Sequence, residues 1–500
     1  MSLVLAIDLG TGSCRAALYN RTLQRISGST VEYATRYERD RAEQDPEQIY
    51  QGVLTAVRET INRSKVECSE ILSVTFDCSV HTLVGLDGNK APVTPVLTWE
   101  DSRARNLVAQ WKRQNLGDNL YQLTGCPLHP MYSPAKIAWW RLNAPDLFRK
   151  ISFFVTVKAF VIYRFTGELF EDQATASGNG LMNIHKLDWE EAALRLAGIN
   201  LSQLPVLVPP TYVIKKIRPD IQAALGLASH TQLMLGSSDA AMSSLGSGTI
   251  RPDQMTLMIG TSGAVRRLTD RPILDPLRRT FCYYFGNQIW FAGGAINNGG
   301  LVMRWFRDNF GQQAFAEAER KKIPVYSVLS DYASRVGPGA AGLMFLPFLA
   351  GERAPNWNGN MRGIYFGVAL HHGQPAFIRA IMEGVSYRMK SISQPLSNLM
   401  GQPKEIRVTG GFSRSALWLR ILADIIGNEL SVTGEPEGSV LGTAAFAFQA
   451  IGELESFQKL EEMNSVRQIV EPDLDTHRFY ETEYQKFVRI YLKLKDEFTA

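Results

Sequence analysis

Three glycine-rich segments hold residues whose types and spacing can handle a polyphosphate. Asp8 closes the apolar run LVLAID and is followed by Gly10, Thr11, Gly12 and Ser13, with Arg15 just beyond. Small residues let backbone N–H groups approach an anion, and the Thr11 and Ser13 hydroxyls and Arg15 add donors. A carboxylate at a strand end can hold Mg2+ directly or through water. The same turn also reads as plain hairpin geometry, in which glycine serves positive φ alone. The pattern returns in TLMIGTSGAVRRL, where Gly260, Thr261, Ser262 and Gly263 form a second candidate phosphate loop. A third turn, Gly410-Gly411-Phe412-Ser413, is expected to open the helix ALWLRILADIIG. A helix N-terminus behind a glycine pair accepts phosphate or the face of a base; tight strand–helix packing is the alternative.

Asp239, in LGSSDAAMSSLG, follows an apolar strand and begins a helix. It reads either as an N-cap or as the base for a substrate hydroxyl, and its helix N-terminal position is expected to lower its pKa. Phosphoryl transfer asks such a group mainly for orientation and late proton acceptance, so the two readings are compatible. His81, in FDCSVHTLVGLDG, and Trp99, Asp101 and Arg103, in LTWEDSRAR, follow predicted strands. A lone His is usually structural and an Asp-x-Arg pair usually a surface ion pair, but a Trp beside them supplies an apolar wall for a sugar.

These residues need elements to hold them. LVLAID and RAALYN read as a hairpin, and TLMIGTSGAVRRL repeats that arrangement 250 residues later, Gly10 against Gly260, which points to a duplicated domain. Between and after the two hairpins, strand signals (ILSVTF, QLMLGSS, EIRVT) alternate with helical ones (PAKIAWWRL, EEAALRLAGI, ALWLRILADIIG), the mark of α/β layers. GSGTIRPDQM is the expected boundary, near residue 248.

The 500 residues, at ~150 per domain, allow two large α/β domains. With 45% hydrophobic and 20% charged residues, disorder and coiled coil are excluded as the main architecture. A net charge of +4 and a longest basic run of only Arg320, Lys321 and Lys322 argue against nucleic acid. Cys14, Cys68, Cys78, Cys126 and Cys282 form no CxxC pair, so reduced thiols and a cytoplasmic protein are expected. No run reaches the ~18 apolar residues of a membrane span. The third glycine of the Rossmann pattern is missing and there is no GxxxxGK[ST].

Taken together, the segments resemble the FGGY family of carbohydrate kinases across nearly the whole chain. The matching pieces, in the family's order, are DLGTGSCR, SVH with TWEDSR, MYSPAKIAWW, GSSDAA, IGTSG, LAGERAPNW with MRGIYFG, and VTGGFSRS with EGSVLGTAAFA. The resemblance implies an α/β chain of two actin-like (ribonuclease H-like) domains with a nucleotide cleft between them. Residues 1–247 would carry the sugar site and first phosphate loop, and residues 248–500 the second phosphate loop and adenosine pocket. It implies ATP and Mg2+ as cofactors and a small sugar or sugar acid as substrate; the sequence leaves the oligomeric state open, a homodimer among the options. Asp239 becomes the catalytic base, Asp8 the magnesium-site carboxylate, Thr11 and Thr261 phosphate contacts, and Gly410, Gly411 and Ser413 part of the adenosine pocket. His81 and Trp99 fall on sugar-facing positions.

TGCPLHPMYSPAK, RTFCYYF and GGAINNGGLVMRWFRDNF are similar to the gluconate kinase branch, while Ala240 and Ser79 depart from the ketopentose kinases. A substrate carboxylate calls for a cation, and Arg103, Lys136 and His129 are the motif-borne candidates. The alternatives are a kinase for another sugar, polyol or aldonate and, in a different class, an actin-like ATPase without a sugar substrate.

Overall fold

The computed structural model describes residues 2–117, 119–434 and 438–498. Leu3–Leu9 (β1) is buried at all seven positions, the pattern of a strand covered on both faces. It turns at Gly10–Gly12 into Ser13–Asn20 (β2), which pairs with it antiparallel and brings Asp8 opposite Arg15. Arg25–Glu32 (β3) continues the antiparallel ladder. On the other side of β1 lies Ile71–Cys78 (β4), parallel and in a register that sets Asp8 beside Asp77. Val213–Ile214 (β5) and Gln232–Ser238 (β6) complete the first large sheet, in the order β5-β6-β4-β1-β2-β3.

The second large sheet repeats this plan. Gln254–Ile259 (β7) and Gly263–Thr269 (β8) form the expected second hairpin. Phe281–Gly286 (β9) and Ile289–Ile296 (β10) extend it antiparallel, while Glu405–Thr409 (β11) and Leu430–Thr433 (β12) run parallel on the far side. With Val466–Val470 (β13) the order is β9-β10-β8-β7-β11-β12-β13. Hairpin, antiparallel third strand and two parallel strands therefore recur in the same arrangement, β3-β2-β1-β4-β6 against β10-β8-β7-β11-β12.

Helices cover both sheets. Pro46–Ser64 (α1), capped by Asp45, packs on β2 and β3. Ser133–Asn143 (α2) lies in the first half, with Trp140 fully buried against Phe154. Asp239–Gly246 (α3) leaves the end of β6. In the second half Gly300–Phe310 (α4), the long Gln374–Met400 (α5), Ala416–Ile426 (α6) and Ser439–Ala450 (α7) surround the sheet.

The halves meet where α3 crosses α7. A Cβ on Gly246 would lie 2.2 Å from the Gly438 carbonyl, and one on Gly442 2.1 Å from the Met242 carbonyl. Only glycine at these two points lets the helix backbones touch. Met242, Leu245, Val440, Leu441 and Ala445 share one buried cluster with β1 and β2 residues Val4, Ala6 and Ala17, so the apolar core is continuous across the seam.

Candidate active site

The first glycine turn is pinned from behind. Tyr33 donates its hydroxyl to the Gly10 carbonyl, Gln44 its amide to the Thr11 carbonyl, and Trp99 Nε1 donates to Thr11 Oγ1 at 3.0 Å. Gly10 N donates to the Ser13 carbonyl, closing the turn, while Gly12 is exposed and a Cβ there would meet open space. The second turn is backed by the start of α4: Gly300 N donates to the Gly260 carbonyl at 2.7 Å and Leu301 N to the Thr261 carbonyl at 3.0 Å. A Cβ at Gly299 or Gly300 would lie within 3 Å of that turn's backbone, which explains the glycine pair in INNGGL. Thr261 itself is exposed.

The third turn differs from expectation. Gly410 has φ 106°, and a Cβ there would strike the Ile259 carbonyl at 2.4 Å, whereas a Cβ on Gly411 would meet nothing. Residues Gly411–Arg414 form a short 3-10 turn closed by Ser413 Oγ onto the Gly410 carbonyl, and the cap of α6 is Ser415. The glycine pair therefore packs β11 against β7 and leaves Gly411 open, without itself opening the helix.

Asp239 is not the cap of α3. Ser238 fills that role, its hydroxyl accepting from Ala241 N, and Asp239 stands at the first helical position with its carboxylate accepting from Ala240 N at 2.6 Å. Its pKa is raised, contrary to the helix-dipole expectation, to about 6. Burial by surrounding protein is the main cause and the negative charge of Asp8 the second, while Arg266 opposes them. Asp239 is still partly accessible to solvent.

Asp8 is 3% exposed and accepts from Ser439 Oγ at 2.8 Å; Arg15 lies 3.7 Å away. Asp77, fully buried beside it, accepts from Thr443 Oγ1 at 2.5 Å. Oδ1 of each aspartate is buried without a hydrogen-bond partner. Burial and the neighbouring Asp8 charge push Asp77 well above the usual carboxylate range. Asp77 was missed in the sequence because FDCS carries no motif; its burial at the end of β4 is the only trace, visible once β4 is placed against β1.

Among the residues expected to face the sugar, His81 adopts φ 70° and its Nδ1 donates to the Gly178 carbonyl at 2.6 Å, leaving Nε2 as acceptor. Burial and the cations Lys136 and Arg353 hold it neutral. It packs edge-on against Tyr132 and Tyr283, whose hydroxyls are 2.7 Å apart. The Trp99 ring lies 4.5 Å from the Arg353 guanidinium. Arg353 bonds Asn297 and the Ile296 carbonyl, and no carboxylate pairs with it among the described residues. Arg266 has a buried Nε without a partner and lies within electrostatic reach of Asp239, Tyr283 and Arg353. Neither arginine was singled out in the sequence, where both read as parts of longer motifs.

Asp101 and Arg103 stay outside this group. Arg103 spends its guanidinium on both oxygens of Asp101 and on Glu43, and Asp101 also accepts from Ala42 N. Both are buried, so they form an internal clamp and not the surface pair of the simpler reading. Lys136, fully buried, donates to the His81 and Thr98 carbonyls, and burial pushes its pKa down to about 7. His129 accepts at Nδ1 from Met131 N and is held neutral by burial. Of the three candidate cations for a substrate carboxylate, Arg103 and Lys136 are thus committed elsewhere and His129 is uncharged. In EGSVLGTAAFA, Glu437 lies outside the described residues.

The family model for the N-terminal domain of the FGGY family of carbohydrate kinases matches residues 3–246, and that for the C-terminal domain matches residues 255–451. The chain belongs to this family. This kinase is 35% identical to the gluconokinase of Bacillus subtilis (strain 168) over 502 aligned residues, covering 100% of its own chain and 97% of the relative. The crystal structure of gluconate kinase from Lactobacillus acidophilus superposes with a TM-score of 0.91 at 28% identity, covering 99% of this chain and 98% of that one. A ligand-bound xylulose kinase from the same organism gives the same TM-score and identity, with 99% of both chains covered. The kinase has the two-domain, actin-like fold of these sugar kinases, and it phosphorylates a carbohydrate hydroxyl. Among the described residues, no helix is long and apolar enough to cross a membrane.

Proposed function

We propose that this kinase transfers the γ-phosphoryl group of ATP to the terminal hydroxyl of gluconate, giving 6-phosphogluconate. The observation that carries the reading is Asp239: a partly solvent-accessible carboxylate freed from capping, made more basic by burial and by the charge of Asp8, with Arg266 opposing. The full-length likeness to a gluconokinase supports the substrate.

In this reading Asp239 orients the hydroxyl and takes its proton as the bond to phosphorus forms. A pKa of about 6 leaves it ionised at neutral pH yet more basic than a free aspartate. Gly10, Thr11, Gly12, Ser13 and Arg15 on one side, and Gly260 and Thr261 on the other, offer backbone and hydroxyl donors to the phosphates. Gly410, Gly411 and Ser413 line the adenosine pocket, with Gly411 giving the base an open face. Asp8 fits a divalent cation, since its buried Oδ1 has no other partner. Bound there, Mg2+ would neutralise charge on the phosphates.

His81 Nε2 and the Trp99 ring form the sugar wall. Arg353 and Arg266, which have no carboxylate partner among the described residues, take the place of Arg103, Lys136 and His129 as candidates for the acid end of the substrate. Asp101 and Arg103 support the wall from behind. We place the domain boundary at 247/248, between the end of α3 and the start of β7, and the protein in the cytoplasm, a reading supported by five unpaired cysteines.

The test is ADP release from Mg-ATP with gluconate, other aldonates, xylulose, ribulose and glycerol, and with no sugar. Turnover on gluconate above all others supports the proposal. Preference for xylulose, the reading favoured by the equal likeness to a xylulose kinase, would overturn the substrate and keep the mechanism.

A further inference from the structure

The two orphaned oxygens at the seam have a shared geometry that Asp8 alone does not explain. Asp8 and Asp77 occupy matched positions on the parallel strands β1 and β4. Each carboxylate has one oxygen fixed by a hydroxyl from the other half of the chain, Ser439 on Asp8 and Thr443 on Asp77. Those two hydroxyls sit four residues apart on α7 and so share one helix face. Each carboxylate has its second oxygen, Oδ1, buried and without a partner. Two buried carboxylates facing one another are costly unless a positive charge or a proton lies between them. Arg15 reaches only the Asp8 oxygen that Ser439 already holds. Gly10 stands over the Asp8 carboxylate, where a Cβ would lie 3.6 Å from Oδ1, so the glycine turn lies directly against this member of the pair.

We infer that Asp77 is the second carboxylate of the divalent-cation seat, and that Ser439 and Thr443 complete this seat by docking α7 onto it. The inference rests on the reading of Asp8 as the magnesium-site carboxylate and adds a residue to it. Mg2+ is commonly held by one or two carboxylates with phosphate oxygens and water filling its shell, which suits two acidic ligands beside a phosphate turn. Because α7 belongs to the second half, both halves of the chain contribute to the seat.

The test uses the full-length protein, ADP and Mn2+ as the probe, with free Mn2+ followed by electron paramagnetic resonance. Wild-type protein is expected to bind Mn2+ more tightly with ADP than Mn2+ binds ADP alone. Asp77→Asn is expected to weaken that binding by at least the ~10–100-fold typical of lost supporting partners, and Thr443→Val by about tenfold. Thermal unfolding in metal-free buffer checks that each variant is folded; if Asp77→Asn fails to fold, Thr443→Val decides. Unchanged Mn2+ affinity in a folded Asp77→Asn variant overturns the inference, as it would if the pair merely shares a proton. So does wild-type protein that adds nothing to the affinity of Mn2+ for ADP. Intact Mn2+ binding with no sugar-dependent ADP release would instead sink the gluconate reading and leave the cation seat standing.

Discussion

Trp99 Nε1 donates to Thr11 Oγ1 at 3.0 Å, which joins the proposed sugar wall and the proposed first phosphate turn into one unit. The Trp99 ring also carries the Arg353 guanidinium on its face, which brings a residue of the second half into the same unit. Substrate contact on this ring, as proposed, is expected to be felt at the turn and at Arg353. Trp99→Phe keeps a ring and loses the bond, worth about 1 kcal/mol. The expected result is a several-fold rise in KM for both ATP and sugar, measured in steady state, with thermal stability little changed. A rise in KM for only one substrate would break the proposed coupling.

Asp239→Asn separates catalysis from stability. Loss of the base is expected to lower kcat by ~100- to 10,000-fold. Stability moves the other way, because the folded pKa lies above the unfolded one. Such a group contributes its full stabilisation below the unfolded pKa of ~3.9 and loses it as pH rises through about 6. Ionised Asp239 is therefore a cost at neutral pH, and the amide should raise stability at pH 7.5 by about 1–2 kcal/mol after allowance for its partial solvent access. Thermal unfolding checks the sign.

The same group sets an acid limb on activity. Protonated Asp239 accepts no proton, so kcat/KM should rise with pH through about 6 and level off above it. A flat profile from pH 5 to 8 would remove Asp239 from the role of base.

Arg103→Met discriminates between a clamp and a substrate ligand. It leaves the buried Asp101 carboxylate without its bidentate partner, a loss of ~3–5 kcal/mol, seen as a drop in Tm. The folded fraction should keep its KM for gluconate. Arg353→Gln should do the reverse, raising KM for gluconate ~10–100-fold, as loss of a charge-assisted bond does, while affecting xylulose less.

Gly442→Ala tests the seam. The added Cβ would sit 2.1 Å from the Met242 carbonyl, and backbone cannot give way as a flexible side chain can. A destabilisation of ~1–3 kcal/mol is expected from forced separation of α3 and α7. Since α7 also carries Ser439 and Thr443, activity should fall further than the lost stability accounts for.

Much of the candidate site was legible because it is written in local patterns. Asp8 lies at the end of a buried strand and Asp239 directly after one, and a glycine turn after such a strand is visible in a few residues. The duplication showed itself as two hairpins half a chain apart and reappears as matching sheet orders. Arg353, Arg266 and Asp77 were not legible in the same way, because their roles depend on which charges they lack as neighbours. Arg103 and Lys136 carried the right charge for a substrate acid, yet their partners lie as far off as Glu43 and the His81 carbonyl.

By itself, the sequence determined the strand-turn-strand units, the α/β class and the carboxylates able to serve as base and cation ligand. These follow from periodicity and from glycine's freedom, which act over a handful of residues. The tertiary structure decided which carboxylates face each other, which cations are spent, and that Asp239 is more basic than its helix position alone would make it. Burial and Coulomb interaction depend on distance in space, and the contacts that settle this site join residues as far apart in the chain as Asp8 and Ser439.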